Sequence, residues 1–174
     1  MDMRAFLSTL AAGVLVAGCA SLGGAPGPKA VANLASTKGN SASGTVTFEQ
    51  QGDKVRVSGT VTGLKANAEH GFHVHEKGDC SSGDGMSAGG HFNPLGKAHG
   101  HQGAEHHAGD MPNLRADAYG NASFSFEVAG ITVGSGATDI VGRGLIVHRD
   151  PDDYKSQPAG NAGPRLACAV IAKG

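Results

Sequence analysis

From residue 29 onward, apolar and polar positions alternate over short runs. That is the period of a half-buried strand, whose successive side chains take opposite faces. Lys29 to Leu34 and Gly44 to Gln50 alternate loosely, with Val46 and Phe48 on one face and Thr45 and Thr47 on the other. Gln51-Gly52-Asp53 has the chemistry of a hairpin turn and leads into Lys54 to Thr62, where Val55, Val57, Gly59 and Val61 share a face. Gly71 to Glu76 reads as a strand. Ser123 to Val128 sets Phe124 and Phe126 against serines after a Tyr119-Gly120-Asn121 turn, and Leu145 to His148 and Leu166 to Ile171 are short apolar strands. No segment carries helical periodicity over three turns. The pattern predicts an all-β sandwich or barrel. It leaves two long loops, roughly 77 to 118 and 149 to 165, and loops of that length inside a compact domain usually carry function.

Ahead of the strands, Ala5 to Ala17 form an apolar run broken only by Ser8, Thr9 and Gly13 and preceded by Arg4. It is too short to cross a ~30 Å hydrocarbon core and has the form of a secretory signal peptide. Leu15-Val16-Ala17-Gly18-Cys19 resembles a bacterial lipobox. That resemblance implies a lipoprotein signal peptide over 1–18, lipidation of Cys19, and a flexible Ala/Ser/Gly/Pro tether to residue 28. The domain proper then covers 29–174. The expected location is the bacterial periplasm, on a lipid anchor to the cell envelope, with Ala20 suiting outer-membrane sorting. The alternative is an ordinary signal peptide with a coincidental cysteine.

Charge changes the picture by exclusion. Fourteen Lys and Arg against fifteen Asp and Glu leave a net charge of −1, which removes the case for a generally basic nucleic-acid binder. Cleavage before Cys19 takes away Asp2 and Arg4 and leaves that balance unchanged. At 39% hydrophobic and 17% charged residues the chain has material for a core. Twenty-nine glycines favour turns and short strands, and nine histidines with no tryptophan point to metal before they point to partner binding. Setting Cys19 aside leaves Cys80 and Cys168, an even pair in an oxidising compartment, hence a disulfide. The alternative is two free thiols, one or both on a metal, though neither cysteine has zinc-finger spacing.

The histidines form a pattern. His73 and His75 stand two apart in a predicted strand, so both imidazoles project to one face and Val74 to the other. His91, His99, His107 and Asp110 lie within one loop, and three neutral imidazoles with a carboxylate suit a borderline cation such as zinc. The bland reading is a solvated histidine-rich loop, to which His101 and His106 lend weight. Against it, Phe92, Pro94 and Leu95 offer that loop an apolar anchor. His148 ends an apolar strand as a further candidate ligand.

Four blocks in this order and spacing, Gly71-Phe72-His73-Val74-His75-Glu76, Gly90-His91-Phe92-Asn93-Pro94, His107-Ala108-Gly109-Asp110 and Gly160-Asn161-Ala162-Gly163-Pro164-Arg165-Leu166-Ala167-Cys168, resemble the signatures of copper/zinc superoxide dismutase. The resemblance implies a Greek-key barrel of about eight antiparallel strands with two functional loops, one copper and one zinc per chain, and superoxide as substrate, as monomer or homodimer. It places copper on His73, His75, His91 and His148. Zinc falls to His91, His99, His107 and Asp110, so that His91 bridges the two and has a catalytic, proton-carrying part. It makes Asp152 the carboxylate linking a copper histidine to a zinc histidine. Arg165 becomes the catalytic cation that attracts the anion, and His70 a structural residue. Seven residues separate His99 from His107, one fewer than in the typical eukaryotic enzyme, which resembles the bacterial branch. If the register slipped, His106 could take the place of His107. Lys97 and Lys155 are the further steering cations the sequence offers.

Three other readings compete. A copper storage or delivery domain of the same fold would lack a complete ligand set or the arginine, and a copper-only relative would lack the zinc histidines. A zinc hydrolase using His107 or Glu105 as base would need no His73 or His75.

Overall fold

The computed structural model describes residues 27–174. The signal peptide, Cys19 and nearly all of the tether lie outside the described residues. Ten strands follow in order: β1 (Lys29–Ser36), β2 (Ser43–Gln51), β3 (Lys54–Thr62), β4 (Glu69–His70), β5 (Phe72–His75), β6 (Leu114–Arg115), β7 (Ala122–Ala129), β8 (Gly144–His148), β9 (Arg165–Val170) and β10 (Ala172–Lys173). A single 3₁₀ turn at Met86–Ala88 is the only helical element among the described residues. The seven predicted strands are present. The two-residue strands β4, β6 and β10 were not legible, because so short a run carries no period.

Every strand pairing is antiparallel, and the main sheet runs β5-β8-β9-β1-β2-β3-β7, with β10 also on β1. Passing from β3 to β5, and from β7 to β8, the chain crosses between the two ends of this order, a Greek-key connection. The sheet curls into a half-barrel. Its two free edges meet through side chains, with Phe72 of β5 edge-on to Phe124 of β7 at 5.5 Å between ring centroids. Alternation puts Ala30, Ala32 and Leu34, Val46 and Phe48, and Val55, Val57 and Val61 into one core with Phe72 and Val74. Each of these valine, leucine and phenylalanine side chains contributes about 1.5–3 kcal/mol when fully buried, so register is strongly specified and a one-residue slip is costly.

Strand β5 decides where the chemistry sits. Phe72 and Val74 enter the core, so His73 and His75 must face outward, yet all four residues are buried. The long loop after β5 folds back and roofs them. A third connection, 130–143, also packs inward through Ile131, Val133 and Ile140. The sequence pattern bounds the strands on either side, at Val128 and Leu145, and assigns this stretch neither to a strand nor to a long loop. Of the anchors expected for the first loop, only Phe92 is buried, beneath the Arg143 guanidinium at 4.5 Å; Leu95 is 58% exposed and Pro94 is exposed as well.

Candidate metal centre

Backbone hydrogen bonds stitch the loop to β5 at two places. Phe92 N–H donates to Val74 O at 2.8 Å and Glu76 N–H to Gly90 O at 2.9 Å, which brings His91 opposite His75. Val74 N–H donates to Gly109 O at 2.9 Å, which brings Asp110 opposite His73. A Cβ on Gly109 would run into the Val74 carbonyl, so this approach requires glycine. β8 lies beside β5 and carries His148 to the same outer face, next to a register shift between Val147 and His148.

Two groups of four ligand atoms result, each with all its atoms within 4.8 Å of one another. One is His73, His75, His91 and His148; the other is His91, His99, His107 and Asp110. His91 belongs to both, and all seven residues are buried.

The outer hydrogen bonds identify the ring nitrogens that face each centre, because a neutral imidazole has one donor and one acceptor nitrogen. His73 Nε2–H donates to Asp152 Oδ2 at 2.8 Å, leaving the Nδ1 lone pair inward. His75 Nδ1–H donates to Gly89 O at 2.9 Å and His148 Nδ1–H to Gly163 O at 3.1 Å, leaving both Nε2 lone pairs inward. Those two Nε2 atoms are 3.4 Å apart. Two acceptors at that distance repel unless a cation lies between them. In the second group, the Asp110 carboxylate has His91 Nδ1 at 2.8 Å, His99 Nδ1 at 3.0 Å and His107 Nδ1 at 3.3 Å. His73 Nδ1, His91 Nε2, His99 Nδ1 and His107 Nδ1 are buried and lack a well-directed hydrogen-bond partner. Buried polar atoms are rarely left so, and these four belong to the two groups; among the described residues the one other such side-chain atom is His70 Nε2. The residues present fit two metal ions.

Electrostatics separates the groups. Burial lowers His73 to about 4, against the opposing hydrogen bond it donates to Asp152, and burial with neighbouring histidines holds His75 and His148 well below the usual imidazole range. Those three imidazoles are neutral at pH 7 and offer lone pairs. His99 differs: burial pulls it down, but Asp110 and Asp152 outweigh burial and raise it to about 9. Despite burial, histidine hydrogen bonds hold the Asp110 and Asp152 carboxyls well below the ordinary range.

Asp152 ties the groups together, accepting from His73 through Oδ2 and from His99 Nε2–H through Oδ1 at 2.9 Å. Two residues that the sequence reading passed over hold it. The Asn113 amide spans its backbone, donating to Asp152 O at 3.0 Å and accepting from Asp152 N–H at 2.9 Å. Tyr154, at a left-handed φ of 57°, donates its N–H to Asp152 Oδ1 at 2.7 Å and accepts Asn113 N–H on its hydroxyl. No local pattern marks Asn113, because its partner lies in the other loop. Outside both groups, His70 donates Nδ1–H to His148 O at 2.8 Å, His106 bonds Ala104 O, and the exposed His101 sits edge-on to Tyr154.

The first group opens onto a cavity of roughly 250 Å³ lined by His75, His91, His148 and Arg165. The Arg165 guanidinium is fixed by Gly85 O at 2.5 Å and Gly89 O at 2.6 Å. Cys80 and Cys168 form a disulfide, Cα atoms 5.9 Å apart, pinning the loop that supplies both carbonyls. Neither Lys97, which pairs with Glu105 at 3.8 Å, nor Lys155 lines this cavity. The lysine beside Arg165 is Lys38, in a neighbouring groove with Asp84.

An antiparallel half-barrel whose outer wall carries an all-nitrogen group and a nitrogen–carboxylate group, sharing one imidazole, defines a protein built for two adjacent metal ions. Residues 42–171 match the copper/zinc superoxide dismutase (SODC) family, and the chain belongs to that family. It is 43% identical to "Superoxide dismutase [Cu-Zn] 2" of Aquifex aeolicus (strain VF5) over 82% of this chain and 86% of that protein. It is 46% identical to "Superoxide dismutase [Cu-Zn] 2" of Brassica juncea over 82% and 96%. It is also 45% identical to "Superoxide dismutase [Cu-Zn]" of Paramecium bursaria Chlorella virus 1 over 74% and 71%. Among solved structures, the crystal structure of the clock protein EA4 superposes with a TM-score of 0.76 at 42% identity, covering 86% of this chain and 97% of that one.

Proposed function

We propose that the chain converts two superoxide anions and two protons into O₂ and H₂O₂, with copper held by His73, His75, His91 and His148 and zinc by His91, His99, His107 and Asp110. The observation that carries this assignment is that His75, His91 and His148 line the cavity whereas His99, His107 and Asp110 do not. A reacting centre needs an open approach and a structural one is closed. Bound copper supplies the one-electron couple and zinc, without redox chemistry, supplies charge and order.

The chain's own residues do the rest. Arg165 keeps its charge at any working pH, and its two carbonyl anchors hold the guanidinium at the cavity wall, where it orients a small anion toward the histidines. His91 bridges the centres: its Nδ1 is committed beside Asp110, so Nε2 is the nitrogen that takes up and releases a proton at the cavity floor. Asp152 keeps the His73 and His99 rings in the tautomers that leave Nδ1 free. The Gln157 amide pairs with both backbone groups of His99 at 2.9 Å each, joining the two loops that shield the second group from water.

The Leu15–Cys19 run supports lipidation of Cys19 and a periplasmic, envelope-anchored enzyme that removes superoxide formed outside the cytoplasm. Fractionation of cells making the full chain and its Cys19→Ala variant tests the anchor, which the variant should lose. For the activity, stopped-flow superoxide decay with copper- and zinc-loaded residues 20–174 should be fast and should collapse in His148→Ala. A loaded protein no faster than buffer would leave storage or delivery of metal as the function.

A further inference from the structure

The 3₁₀ turn Met86–Ala88 stands between the two carbonyls that hold Arg165, Gly85 on one side and Gly89 on the other. The turn is pressed against the arginine: a Cβ built on Gly85 would lie 3.3 Å from Arg165 Cδ and 3.4 Å from Arg165 Cβ. Its first residue, Met86, is 61% exposed. Met86 and Arg165 both line the cavity above the histidines, and both also line the groove beside it that holds Lys38 and Asp84. A thioether therefore stands at the mouth through which peroxide leaves, next to the fixed Arg165 guanidinium. The other methionine among the described residues, Met111, is 1% exposed and belongs to the apolar core.

We propose that Met86 is an oxidation site for hydrogen peroxide, and that its sulfoxide weakens anion binding at Arg165. The chemistry balances with the product of the reaction as oxidant. The Met86 sulfur attacks one peroxide oxygen, the O–O bond breaks and an S–O bond forms. Sulfur is oxidised by two electrons, and the departing hydroxide takes the remaining proton as water. The apolar thioether becomes a polar sulfoxide whose oxygen accepts hydrogen bonds, and the Arg165 guanidinium is a donor lining the same cavity. A guanidinium N–H engaged by that oxygen is withdrawn from the substrate. Enzymatic reduction of the sulfoxide restores the original side chain, so the device is reversible feedback by product. It rests on the reading of this cavity as the place where peroxide forms.

The test treats the copper- and zinc-loaded protein with graded hydrogen peroxide. Peptide mass spectrometry then follows sulfoxide at Met86 and Met111, alongside stopped-flow superoxide decay before and after methionine sulfoxide reductases. Met86 should gain one oxygen well before Met111. kcat/KM should fall roughly fivefold, the scale of one competed hydrogen bond, and the reductases should restore it. Met86→Leu, normalised to its own starting rate, should lose the reversible part of the decline. Met86→Gln, which puts a carbonyl oxygen near the same place, should show the lower kcat/KM without peroxide. An active enzyme in which Met86 resists oxidation, or whose reductase-reversible decline is the same in Met86→Leu, overturns the proposal. A loaded protein with no superoxide decay at the outset overturns the functional reading instead.

Discussion

Asp152→Asn separates the two metal groups by hydrogen-bond counting alone. The substitution keeps the shape of the side chain but replaces one acceptor oxygen by an NH₂ donor. In the native arrangement Oδ1 receives two donors, His99 Nε2–H at 2.9 Å and Tyr154 N–H at 2.7 Å, while Oδ2 receives only His73 Nε2–H at 2.8 Å. The asparagine oxygen should therefore take the Oδ1 position, and its NH₂ would then face the His73 Nε2–H. Two donors cannot remain opposed there in a buried site. His73 must move its proton to Nδ1, the nitrogen it would offer to copper, or lose its anchor. Leaving a buried donor unsatisfied costs about 1–3 kcal/mol, or a factor of roughly 5 to 150 in binding. That range includes the 10–100-fold typical of lost outer hydrogen bonds at metal sites. Chelator competition at pH 7 on zinc-loaded protein should show copper affinity lower by about that much, with zinc affinity changed far less. Zinc lost first, or copper affinity within twofold of the native value, would refute the counting.

Two further predictions concern the zinc side. Gly160 has φ of +63°, and a Cβ there would overlap Asp152 Oδ1 and lie 2.7 Å from His99 Nε2. Gly160→Ala should cost roughly 1–3 kcal/mol through overpacking and backbone strain, read as a lower thermal midpoint together with weakened zinc binding. Zinc uptake should also release a proton. His99 is raised to about 9 and so carries its proton at pH 7 in the metal-free protein, while His107 is lowered and contributes none. Because the folded value lies above the ordinary 6.5, zinc affinity should rise about tenfold per pH unit across neutrality and level off above about 9. Calorimetry in two buffers of different ionisation enthalpy measures the release directly, and a pH-independent zinc affinity between 6 and 8 would contradict it.

Much of this protein could be read from the chain because strand alternation is a local property. Val55, Val57 and Val61 on one face, Phe124 and Phe126 against serines, and His73 and His75 flanking Val74 each follow from a period of two with no distant information. The four signature blocks likewise contain His73, His75, His91, His107, Asp110 and Arg165, and the family resemblance they carry adds His99, His148 and Asp152. What alternation cannot carry is pairing over distance. Lys97 and Lys155 looked like candidates for steering because their charge is visible in the sequence. Met86 reaches the mouth, and Lys38 the groove beside it, only because the end of β1 and the pinned loop converge on Arg165. The ring nitrogen that each histidine turns inward was equally illegible, since it depends on acceptors such as Gly89 O and Gly163 O and on an aspartate 79 residues from His73. The chain by itself determined the seven longer strands and the ligand residue types. Only the tertiary structure decided tautomer, access and neighbour, because those are set by hydrogen bonds and burial among residues that meet when the loops close over β5.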